Sequence, residues 1–75
     1  MAKLPRLSGK EVIKALTKAE FISVRQKGSH IMLTKQTSEG KFGVVVPLHK
    51  EIDTGTLIEI IRQSKLSREE FLRLL

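Results

Sequence analysis

The sequence predicts an α+β domain in which a three-stranded antiparallel meander carries its helices on one face. Three observations lead there. Three β-prone runs fill the middle of the chain, separated by two glycine-bearing turns. Helix-start signals lie on either side of that middle. The apolar spacing is helical, then strand-like, then helical again. An antiparallel sheet covered by helices on one side is the economical packing of such an order. Its other face is left free for a ligand.

The elements follow from the residues in order. Ser8-Gly9-Lys10-Glu11 reads as a capping box, opening a helix with Val12, Ile13, Leu16 and Ala19 on one face. Lys10, Lys14 and Lys18 form a separate basic stripe, either a phosphate contact or a solvated face. Phe21 to Arg25 and Ile31 to Thr34 read as strands about a Lys27-Gly28 turn. That turn sets Arg25 opposite His30. Thr37 to Gly40 is a second turn, leading into Phe42-Gly43-Val44-Val45-Val46, and Pro47 ends that strand because it has no N–H for the ladder. The second turn sets Gln36 opposite Lys41 and His30 opposite Pro47. Asp53 or Thr54 then caps a helix burying Leu57, Ile58, Ile60 and Ile61. Ser67-Arg68-Glu69-Glu70, another capping box, starts a short closing helix.

Composition narrows the function. Seventy-five residues predict a single domain over 1–75. Chains this short have thin stability margins, so a binding partner is the expected extra support. There is no cysteine, and two histidines among scattered carboxylates have no metal-site spacing, so neither a cofactor nor a metal is expected. The longest apolar run, Val44-Val45-Val46, is strand-length, and with no leader pattern the expectation is a cytoplasmic protein without membrane contact. The net charge of +6 lies entirely in residues 1–36, which carry eight Lys or Arg against two Glu. Such one-sided charge fits a polyanion partner, or a merely soluble basic protein.

The chemistry concentrates in Arg25-Gln26-Lys27-Gly28-Ser29-His30. Histidine exchanges protons near neutrality, and lysine and arginine bind phosphate. A histidine among phosphate-binding cations is the minimum kit for cleaving RNA without a metal. Alternation along the strand puts His30, Met32 and Thr34 on one face and Ile31 and Leu33 on the other. The aliphatic pair should face the helices, leaving His30 on the open, basic side. By register the Pro47-Leu48-His49 turn reaches the same end of the sheet. On these grounds alone His30 is either a general base or an idle exposed histidine. His49 is either its partner or a side chain bonded to its own turn.

Leu7-Ser8-Gly9-Lys10-Glu11-Val12, Arg25 to His30, Val46-Pro47-Leu48-His49-Lys50-Glu51-Ile52 and Gly55-Thr56-Leu57 together resemble the HicA toxins of HicA–HicB toxin–antitoxin systems. The likeness runs nearly end to end. It implies a fold similar to double-stranded-RNA-binding domains, ribonuclease activity on messenger RNA, and neutralisation by a HicB-type antitoxin covering the active site. It places the family's catalytic histidine at His30, within Gly28-Ser29-His30. The RNA-binding residues expected around it are Arg25, Lys27, Gly28, Ser29 and His49, with Lys10 and Lys14. Two positions depart from the pattern. Glu20 stands where members often have glycine, and Ser64-Lys65-Leu66 where they often have Ala-Gly-Leu.

Overall fold

The computed structural model describes residues 3–75. In chain order it contains α1 (Gly9–Lys18), β1 (Ile22–Lys27), β2 (His30–Thr37), β3 (Gly40–Pro47), α2 (Thr54–Ser64) and α3 (Arg68–Arg73). The strands lie side by side in the order β1-β2-β3, both pairs antiparallel. The α+β meander expected from the sequence is therefore what forms. Its α-β-β-β-α order is that of double-stranded-RNA-binding domains, with α3 as a closing turn. No helix among the described residues is long and apolar enough to cross a membrane.

Each helix starts where side chains can satisfy its first N–H groups. Ser8 Oγ accepts from the Glu11 N–H at 3.1 Å, and Glu11 Oε1 accepts from the Ser8 N–H at 2.9 Å. Ser67 and Glu70 repeat the arrangement at 3.0 and 2.8 Å. Asp53, not Thr54, caps α2, accepting from the Thr56 hydroxyl at 2.7 Å and the Thr56 N–H at 3.0 Å. Those bonds, the hydroxyl's most of all, hold the Asp53 carboxyl below its ordinary value of 3.8.

Leu33, Val44 and Val46 from the sheet meet Val12, Ala15 and Leu16 of α1 and Leu57, Ile60 and Ile61 of α2 in one core. Phe21, between α1 and β1, and Phe71, in α3, are buried in the same core. Ile58, expected on the buried face of α2, is instead 44% exposed. The reason is helical geometry: Leu57, Ile60, Ile61 and Ser64 share the inner face at spacings of three and four. Ile58 is one residue past that stripe.

The two departures from the family pattern sit at the ends of α1 and α2. Glu20 has φ +73° and Lys65 φ +65°, the only described non-glycine residues in the left-handed region. At the end of α1 the Phe21 N–H donates to the Leu16 carbonyl and the Glu20 N–H to the Thr17 carbonyl, each at 3.0 Å. That double bond pattern wants a left-handed residue at Glu20, and glycine fills it without a Cβ clash. Replacing Glu20 or Lys65 by glycine is expected to stabilise the fold, each by roughly 0.5–1 kcal/mol, or a few degrees in Tm. Thermal unfolding of the two single variants checks this, and an unchanged or lower Tm contradicts it.

Candidate active site

The second hairpin fixes where His30 points. Gln36 pairs with Lys41, and the register runs without a break to His30 opposite Pro47, as the sequence spacing requires. Its turn is tighter than a four-residue loop: Thr37 and Gly40 still pair, leaving only Ser38-Glu39. Leu33 is fully buried under the helices and Ile31 is half-buried, so alternation turns His30, Met32 and Thr34 to the open face.

The first hairpin differs from the expectation. Lys27, not Arg25, pairs with His30, and Arg25 pairs with Met32. The turn is Gly28-Ser29 rather than Lys27-Gly28. Gly28 has φ +59° while Ser29 does not enter the left-handed region, the pattern of a turn with glycine at its first central position. Gln26 Nε2 donates to the Gly28 carbonyl at 3.1 Å across it. Moving a two-residue turn by one position slides the strand pairing by two, so every residue near it keeps its face. Arg25 therefore still shares the open face with His30, one pair further along. A bulge between Ser23 and Arg25 then shifts the register for the rest of β1.

Arg25, Lys27 and His30 line one shallow hollow of about 260 Å³ together with Met32 and Val45. One wall is cationic, the imidazole stands at the end nearest the turn, and the floor is apolar. Met32 and Val45 form a directly opposed pair, 41% and 40% exposed. Val45 was legible only by carrying the Gln36–Lys41 register four residues along β3.

Three segments lock the turn end of this hollow. The Leu48 N–H donates to the Ser29 carbonyl at 2.6 Å, and the Gly9 N–H at the start of α1 donates to the His49 carbonyl at 2.9 Å. The approach at Gly9 is so close that a Cβ there would lie 2.2 Å from the Pro47 carbonyl oxygen. Sequence reasoning passed over Gly9. Its signal was a glycine in the first helical position, where no helix-forming preference calls for one.

The other predicted site residues fall elsewhere. His49 is brought to the same end of the sheet by its backbone but does not line the hollow. Its charge is felt instead by Asp53, as the weakest of the influences lowering that carboxyl. Lys10 is exposed on the first turn of α1. Lys14 lines a separate depression with Lys18, Leu74 and Leu75 on the helical side. The basic stripe of α1 and the cations beside His30 are therefore two surfaces, not one.

No curated protein matches the chain closely enough to count as a relative. The family model described as HicA toxin of bacterial toxin–antitoxin does match, over residues 9–66. That span runs from the glycine under the Pro47 carbonyl, through the whole sheet, to the stop after α2. The chain belongs to the HicA toxin family, the toxin half of a bacterial toxin–antitoxin system whose other half is its antitoxin.

Proposed function

We propose that the protein is an endoribonuclease that cleaves messenger RNA without a metal, His30 acting as general base. The observation that supports this most directly is the pairing of His30 with Lys27 on the open face, with Arg25 in the same hollow. RNA carries its own nucleophile. His30 removes the proton of a 2′-hydroxyl, that oxygen attacks the adjacent phosphorus, and the 5′-oxygen of the next nucleotide departs. The added negative charge is met by Lys27 and Arg25. The departing oxygen takes a proton, for which Lys27, directly opposite His30, is better positioned than His49. Gly28 and Ser29 hold the turn that presents the imidazole. Lys10 and Lys14 can bind RNA only where the strand also wraps onto the helical side. A HicB-type antitoxin neutralises the toxin by covering this hollow.

The test is incubation of the purified protein with a 5′-labelled RNA in EDTA. The expected products end in a 2′,3′-cyclic phosphate and a 5′-hydroxyl. A strand of the same sequence with every 2′-hydroxyl removed should stay intact. Cleavage of that deoxy strand would overturn the mechanism. Tight, salt-sensitive binding of RNA without any cleavage would identify an RNA-binding module instead.

A further inference from the structure

The apolar floor beside His30 has no part in moving protons or binding phosphate. Met32 and Val45 are opposed across β2 and β3, two of the few large apolar side chains exposed on the molecule. They share a hollow with two cations and an imidazole. No aromatic ring joins them: Phe21 and Phe71 are buried, and Phe42 pairs with Lys35 on the opposite face. Nor does either side chain offer a hydrogen-bond donor that would tell one base from another. We infer that Met32 and Val45 form a shelf that receives the base of the nucleoside supplying the attacking 2′-hydroxyl, and that it accepts all four bases alike. The inference rests on the nuclease reading above.

The chemistry of the substrate dictates the placement. The base hangs from the carbon next to the one bearing the 2′-hydroxyl. An imidazole within hydrogen-bond reach of that hydroxyl therefore keeps the base close by. Met32 lies two residues from His30 on the same face, about 6.6–6.8 Å along the strand. Val45 widens the shelf toward β3, while the phosphate stays against Lys27 and Arg25. A flexible thioether adapts to bases of different size and makes favourable contact with their rings. Such contact holds a base in place without reading its identity, since every base offers a ring face.

The experiment uses a short DNA strand with one ribonucleotide, so that cleavage is confined to one linkage. That ribonucleotide carries each of the four bases in turn, or none (an abasic ribose, which keeps the 2′-hydroxyl). The wild-type protein is expected to cleave the four base-bearing strands within about threefold of one another. The abasic strand should fall by about tenfold. A Met32→Ala, Val45→Ala double variant should cleave base-bearing and abasic strands at similar rates. Equal cleavage of abasic and base-bearing strands by the wild type would overturn the shelf. A preference above tenfold for one base would overturn its indifference. If no strand is cleaved, the nuclease reading itself fails. Fluorescence anisotropy on the same strands then decides the shelf separately: weaker binding of the abasic strand supports it, and equal binding removes it.

Discussion

Replacing His30 by alanine is expected to lower RNA cleavage by about 10²–10⁴-fold, the usual contribution of a positioned general base. The fold should not change, because His30 is exposed and its strand is held by backbone pairing on both sides, to Lys27 and to Pro47. RNA affinity should fall by no more than a few-fold, because Arg25 and Lys27, the proposed phosphate-binding cations, stay in place. The combination distinguishes a base from a contact. A pure contact residue would lose affinity and cleavage together. Expression of the His30→Ala chain without its antitoxin should leave growth unimpaired where the wild type arrests it. Cleavage within tenfold of wild type would remove His30 from the mechanism.

The largest effect on stability is expected at Gly9. Its missing Cβ would lie 2.2 Å from the Pro47 carbonyl oxygen and 2.9 Å from the Leu48 Cα. Both are backbone atoms, so no side-chain rotation relieves the contact. Gly9→Ala must push α1 away from the end of β3, at a cost of about 1–3 kcal/mol. That is a large share of the margin of a small domain. Thermal unfolding should show a fall in Tm of roughly 5–20 °C. Cleavage by the folded fraction should also drop, since Leu48 holds the Ser29 carbonyl and thereby the turn before His30. Gly55→Ala is the control. It too lies in the first turn of a helix, but its Cβ would stand 3.4 Å from Asp53 Oδ2, an ordinary contact, and helix preference then favours alanine. An unchanged Tm for Gly9→Ala would show that the two segments yield more easily than packed backbone does.

The elements were legible because local signals agreed. The Ser8 and Ser67 capping boxes, the alternation through β2 and β3, and Pro47 at a strand end each state their meaning within a few residues. The hairpin turn was harder. Lys27-Gly28 and Gly28-Ser29 are both acceptable two-residue turns. What separates them is the sign of φ at one residue, which composition does not reveal. The face of His30 survived the difference because the β2–β3 register fixes it independently. His49 was only half legible, for another reason. Register placed its backbone correctly, but past Pro47 the chain has left the ladder, and alternation no longer says where a side chain goes. The role of Gly9 depends on a neighbour forty positions away, and nothing local announces it.

That distance carries a consequence for how the toxin comes into being. The bonds that seat the turn before His30 run from Leu48 to Ser29 and from Gly9 to His49, and the Ile52 N–H donates to the Leu7 carbonyl beyond them. Contacts between segments so far apart form late, because the loop between them must close first. A chain growing from the ribosome holds its histidine and both cations long before it can hold them still. The turn before His30 is therefore seated only once the chain through Ile52 is free to fold back on Leu7 and Gly9.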